Sequence, residues 1–101
     1  MKIPKYRSPS HPGAILLKDF LEPMEITQRQ LADALHVPYQ RINELENQKR
    51  GITPSTAIRL SKFFGNSSNF WLNLQQNWEI YHVLKEEEEE LKTILQFKAT
   101  G

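Results

Sequence analysis

The sequence contains no cysteine. Disulfides and thiolate metal sites are therefore excluded, and a reducing compartment is compatible. No apolar run approaches the roughly 18 residues of a membrane span. The N-terminal MKIPKYRSPSHPG carries basic residues but lacks the apolar region of a secretory signal. A cytoplasmic protein with no membrane attachment is expected. There is no glycine-rich phosphate loop and no nucleophile motif. The three histidines, His11, His36 and His82, are too scattered for a metal site. Glu44 and Glu46 are two apart, so on one helix they point in different directions and make no carboxylate dyad. Neither an enzyme nor a cofactor is expected.

What is present fits one domain of 101 residues. The net charge of +1 hides a split. Residues 1–62 hold ten Lys/Arg against six Asp/Glu, a balance of +4, and residues 63–101 hold three Lys against six Glu, a balance of −3. A basic N-terminal part is what a phosphate-facing surface requires.

That part contains the stretch from Thr27 to Glu46, TQRQLADALHVPYQRINELE. It reads as two short helices around a tight turn. Thr27 with Gln30 forms a capping box, and Ile26 with Leu31 a hydrophobic staple. Leu31, Ala32 and Leu35 give an apolar face of helical period. His36-Val37 is the break, and Pro38 suits the first position of the second helix. Ile42 and Leu45 are its core residues. This is a helix-turn-helix, whose second helix can lie in the DNA major groove.

Around it, residues 1–10 read as a flexible arm, residues 11–80 as the DNA-binding domain and residues 81–101 as a helical extension. The first helix is expected from about Pro12 to Glu22, with Leu17, Leu21 and Met24 at helical spacing and Pro23 marking its end. Asn47 to Gly51 supplies residues at ease in the left-handed conformation that ends helices. Thr53 caps the next helix, with Pro54 at its first position and Gly65 closing it. Ser67 or Ser68 caps the last helix. Its Phe70, Trp71, Leu74, Trp78 and Tyr81 should largely close the core. That helix is expected to continue through Leu84, Leu91 and Leu95, across Glu86–Glu90, which have good helix propensity but repel one another. The glutamate run reads as a solvated face, or alternatively as a contact for a basic protein.

A helix turns about 100° per residue. With Tyr39 at zero, Ile42 and Leu45 set the buried direction at about 270°. The opposite face then carries Gln40, Asn43 and Glu44, flanked by Tyr39 and Arg41, with Asn47 at the helix end. Glutamine pairs bidentately with adenine, and glutamate accepts from the cytosine amino group. Tyr39 suits a thymine methyl or a phosphate, and Arg41 a guanine or a phosphate. Gln28 and Arg29, in the first turn of the preceding helix, are placed for backbone contacts. Lys49 and Arg50 add two cations beyond the recognition helix.

Seven segments, in this order, resemble the HigA-type antitoxins of the Cro/C1 (XRE) helix-turn-helix superfamily. They are His11-Pro12-Gly13, Gln30-Leu31-Ala32, Val37-Pro38, Arg41-Ile42-Asn43-Glu44, Lys49-Arg50-Gly51-Ile52-Thr53, Ala57-Ile58-Arg59-Leu60 and Phe70-Trp71-Leu72-Asn73-Leu74-Gln75. The resemblance covers roughly residues 11–80. It implies an all-α fold, a five-helix Cro/C1 repressor-like domain, here with an extended C-terminal helix. It also implies a homodimer, binding to an inverted-repeat operator, and neutralisation of a HigB-type toxin similar to the RelE ribonucleases that cleave mRNA. A stand-alone XRE-family repressor without a toxin is the alternative, and an interaction module that has lost DNA binding is a third reading. The dimer contact is expected at the last helices. Three residues depart from the family pattern: Ala14 in place of glutamate, Gln48 in place of glycine before Lys49, and His36 in place of the turn glycine, where positive φ is often needed. Tyr39 varies across the family, so the operator sequence does not transfer.

Overall fold

The first helix begins on a side-chain cap. The Nδ1 of His11 accepts the Gly13 N–H at 2.9 Å, and Pro12 follows at the first helical position. The computed structural model describes residues 8–99, so most of the arm assigned to residues 1–10 lies outside the described residues. Helix α1 runs as α-helix over Pro12–Ile15, as π-helix over Leu16–Leu21 and as α-helix again over Glu22–Met24.

Pro23 was expected to end this helix and instead lies inside it. Proline has no N–H and its ring crowds the carbonyl four residues back. The wider π turn, in which the Glu22 N–H reaches the Leu17 carbonyl, relieves that conflict just ahead of it. The same turn corrects the core pattern. Leu16 and Leu21, five apart, are both buried, whereas Met24, expected on the apolar face, is exposed. A regular 3.6-residue period does not superpose residues five apart, but a π segment does.

Glu25, at φ 55°, closes α1, and Thr27 opens α2 (Gln28–Leu35) with the expected capping box. The Gln30 N–H reaches Thr27 Oγ1 at 3.1 Å, and Gln30 Oε1 accepts the Thr27 N–H at 2.8 Å. His36 ends α2 at φ 59°, the left-handed position that the resemblance assigns to a glycine. Arg59 donates to the Leu35 carbonyl at 2.7 Å, placing a cation at the same helix end. Helix α3 runs over Tyr39–Glu46. Pro38 precedes it as N-cap, one position earlier than expected; its carbonyl accepts the Arg41 N–H at 3.0 Å.

After α3 the left-handed residue is Gln48, at φ 60°, rather than Asn47 or Gly51. Gly51 serves a different need. A Cβ there would stand 2.6 Å from Gln75 Nε2, and Gln75 Oε1 accepts the Ile52 N–H at 2.7 Å. Helix α4 (Pro54–Phe64) starts on Thr53 and ends at Gly65, φ 76°. Helix α5 (Ser68–Glu86) starts on Ser67.

The core gathers Leu16, Leu21, Leu31, Leu35, Ile42, Leu45, Ala57, Leu60 and Trp71 from helices α1 to α5. Trp71 is fully buried, with its Nε1–H on Asn66 Oδ1 at 2.9 Å and its ring 4.8 Å from that of Phe20. Of the aromatic group expected to close the core, Trp71 does so. Trp78 and Tyr81 are half-buried, and Phe70 is exposed.

The last helix is shorter than expected. It ends at Glu86, a short turn of helix α6 forms over Glu88–Leu91, and the described residues beyond it form no helix. Glu87, at φ −108°, breaks the run. Nothing buried holds this part of the chain, and adjacent carboxylates in one helix repel one another, so propensity alone does not carry the helix onward. Ile94, Leu95 and Phe97 are exposed. All described residues are helix or loop; none forms a strand.

Candidate nucleic-acid interface

The orientation of α3 follows from its apolar side. Ile42 and Leu45 are fully buried, and the end of the helix lies against the start of α1. A Cβ on Gly13 would fall 1.8 Å from the Leu45 carbonyl oxygen. No other residue type fits there without moving the backbone. The opposite side of α3 therefore faces out: Tyr39, Gln40 and Asn47 are exposed, and Arg41, Asn43 and Glu44 are half-buried.

The structure sorts the ten expected site residues into groups. Gln40 Nε2–H donates to Glu44 Oε2 at 3.2 Å, while Arg50 donates to Glu44 Oε1 from Nε and Nη2 at 3.1 and 2.9 Å. The Arg50 hydrogen bonds, with help from its charge and from Gln40 and Lys49, hold the Glu44 carboxyl below its ordinary pKa despite some desolvation. Glu44 is thus ionised and already engaged as an acceptor. A second pair joins the two helices of the motif: the Arg29 guanidinium lies 4.7 Å from the centre of the Tyr39 ring, a cation–π contact.

A third group is a chain of amides. Gln28 Oε1 accepts from Asn43 Nδ2 at 3.0 Å, and Asn43 Oδ1 accepts from Asn47 Nδ2 at 3.2 Å. Asn47 also donates to the Asn43 carbonyl at 2.9 Å. Gln28, expected to reach the DNA backbone, spends both ends of its side chain inside the protein. Its place at the start of α2 still leaves its own backbone N–H and that of Arg29 for a phosphate, the Gln30 N–H being taken by the Thr27 cap. Arg41 and Lys49 enter no side-chain hydrogen bond or ion pair among the described residues.

The far end of Gln28 reveals a residue that sequence reading missed. Its Nε2 donates to Glu46 Oε1 at 2.7 Å. Glu46 is 8% exposed, and its Oε2 is buried without a hydrogen-bond partner among the described residues. Burial pushes its carboxyl up, the Gln28 bond works against that, and the nearby Glu22 charge adds to it. The sequence held a signal: on the same helical wheel Glu46 falls at about 340°, beside Ile42 on the apolar side. A carboxylate there needs a partner.

Residues 17–71 match the helix-turn-helix family. The chain belongs to that family. It is 46% identical over 70 residues to virulence-associated protein I of Dichelobacter nodosus, across 69% of this chain and 65% of that protein. It is 35% identical over 88 residues to the antitoxin HigA-1 of Vibrio cholerae, across 87% of this chain and 83% of that one. The solved structure of the Pseudomonas aeruginosa antitoxin HigA with the higBA promoter superposes with a TM-score of 0.82 at 33% identity, covering 87% of this chain and 96% of that one. The HigA-type resemblance and the all-helical Cro/C1 fold are thereby borne out.

Within this helix-turn-helix protein Gly13, Gly51, Ile52, Trp71 and Gln75 of the resemblance segments are scaffold. Gly13 admits the Leu45 carbonyl, Gly51 and Ile52 meet Gln75, and Trp71 fills the core. Their side chains specify how α3 is held, not what it touches.

Proposed function

We propose that this protein is the antitoxin of a type II toxin–antitoxin pair. It acts as a homodimeric autorepressor that reads an inverted-repeat operator and also binds and neutralises a HigB/RelE-like, mRNA-cleaving toxin in the cytoplasm. The observation that carries the reading is the outward face of α3, whose Gln40, Asn43 and Glu44 stand in fixed hydrogen-bonded poses opposite a fully buried apolar side. The relation to HigA proteins, one of them solved with its promoter, supports both halves.

Direct base readout is assigned to Tyr39, Gln40, Asn43 and Glu44, with Arg41 at the edge and Asn47 at the end. Phosphate contacts are assigned to Arg29, Lys49, Arg50 and the start of α2 at Gln28. In the free protein Arg50 covers Glu44. On DNA the arginine is drawn to a phosphate and frees the carboxylate to accept from a cytosine amino group. One such face reads only a few base pairs. A dimer presents two about 34 Å apart, which calls for an inverted repeat. The half-buried and exposed apolar residues of α5, Ile80, Tyr81, Val83 and Leu84, offer the contact between copies.

Two measurements test this. In a mobility-shift assay with DNA from upstream of its own gene, the protein should bind as a dimer, more tightly than unrelated DNA. Co-expression with the product of the neighbouring gene should yield a complex on pull-down and relieve that product's toxicity. Absence of sequence preference would overturn the repressor half; a neighbouring product that is neither toxic nor bound would overturn the antitoxin half.

A further inference from the structure

The amide ends of glutamine and asparagine have nearly the same shape, so only their hydrogen-bond partners decide which end points where. In this protein one group in the amide chain has no such freedom. An ionised carboxylate accepts and never donates. Glu46 is buried and meets Gln28 at 2.7 Å, so Gln28 must present its NH2 to Glu46. Its oxygen then faces Asn43, which must answer with its own NH2 at 3.0 Å. That leaves the Asn43 oxygen toward Asn47, which donates to it. Each step follows from the one before, and the direction is set at the buried end.

We infer that Glu46 is a positioning residue for DNA reading: it fixes the amide polarity of Gln28 and, through it, of Asn43. The inference rests on the proposed function. It adds that a residue beyond reach of DNA determines which hydrogen-bonding pattern the reading face shows. After its internal bonds Asn43 retains one N–H and one oxygen lone pair, in a fixed order. This is the pair an asparagine uses to grip adenine through N7 and N6. With its amide reversed, donor and acceptor exchange places and the match is lost. The Oε2 of Glu46, buried and without a partner among the described residues, is the cost of the device, since a polar atom in that position is destabilising.

Glu46→Gln tests it, because glutamine has the same shape but can donate. Its NH2 can face the Gln28 oxygen, reversing Gln28 and then Asn43. The probe is a randomised DNA duplex library selected with the full-length wild type, Asn43→Ala, Glu46→Gln and the double variant. The wild type compared with Asn43→Ala identifies the base pair that Asn43 reads. Glu46→Gln should lose preference at that pair alone by about tenfold, the scale of one lost bidentate contact. Its affinity for non-specific DNA and its salt slope should be unchanged. In the Asn43→Ala background, Glu46→Gln should add nothing. A variant that loses preference equally at every pair, or whose Gln28 amide is shown by proton NMR to be reversed while the wild-type preference at that pair is kept, overturns the inference.

A second measurement needs no variant to fold. Proton NMR of the free wild type should show the Gln28 side-chain NH2 close to the Glu46 methylenes and the Asn43 NH2 close to those of Gln28. The reverse order overturns the relay. If the wild type selects no sequence at all, the DNA-reading function fails, and Glu46's role in reading fails with it; the NMR result reports on the amide order separately.

Discussion

On one side of α3, Ile42 and Leu45 are fully buried and Gly13 admits a backbone carbonyl where no Cβ fits. On the other, Gln40, Glu44 and Arg50 satisfy one another at the surface, and Tyr39 holds Arg29. The same eight residues therefore obey two sets of constraints. The inner side is decided by volume and close approach, where a single methyl is felt. The outer side is decided by hydrogen-bond capacity, where shape is permissive and chemistry is not. Stability and base preference should then be separable by mutation, and each prediction tests that separation.

The largest effect is expected inside. Trp71→Ala removes the largest fully buried side chain and strands Asn66 Oδ1, and should cost about 3–5 kcal/mol in denaturant unfolding. The fraction that remains folded should keep the wild-type base preference. An altered preference would mean that core packing and reading are coupled.

The mirror experiment is outside. Gln40→Ala should lose about 1–3 kcal/mol of discrimination at one base pair while its unfolding free energy stays within about 0.5 kcal/mol of wild type. Lys49→Ala, by contrast, should weaken binding to all sequences alike and lower the salt slope by about one. Unchanged affinity and preference in Gln40→Ala would show that the outward direction deduced for α3 is not the reading face.

Much of the inner side was legible in the sequence. The capping box at Thr27 and Gln30, the caps Thr53 and Ser67 and the closing Gly65 all follow from local chemistry, which a chain carries in its own residue order, whereas the left-handed His36 came from the family resemblance. The outward direction of α3 followed from two residues, Ile42 and Leu45, because a helical wheel needs no tertiary information. What was not legible depends on partners far along the chain. The π segment in α1 shifts burial from Leu17 to Leu16, a change no fixed period contains. Gly51 was read as a helix stop, yet it is needed because Gln75, 24 positions on, lies against it. Glu46 was weighed only as half of a catalytic pair, since its true partner Gln28 lies on another helix.

A smaller effect tests where the scaffold meets solvent chemistry. Burial lowers the His11 pKa from its ordinary value of 6.5, and its Nδ1 must be unprotonated to accept the Gly13 N–H. The folded pKa lies below the unfolded one, so His11's contribution to stability is fully present above about pH 6.5 and is lost as pH falls through the folded value. Unfolding midpoints measured from pH 7.5 down to 5 should therefore drop in the wild type. In His11→Ser, whose hydroxyl can cap without titrating, that component of the drop should be missing. The base preference should be the same in both at pH 7.5.

The smallest effect is expected at the end of the chain, where neither rule operates. Leu84 is 43% exposed, and Ile94, Leu95 and Phe97 are 69%, 85% and 88% exposed. Exposed apolar side chains gain nothing from the fold of a single copy, and the helix that would have carried Ile94, Leu95 and Phe97 stops at the glutamates. Ending the chain after Leu91 should leave the unfolding free energy within about 0.5 kcal/mol of wild type when measured at concentrations that keep the protein monomeric. Repeating the measurement at high concentration asks whether a second copy uses what the first leaves bare. A loss seen only there would place residues 92–101 in the contact between copies. A loss seen at both would mean that the segment packs on its own domain, and the division of the molecule into a built scaffold and an unburied end would have to be redrawn.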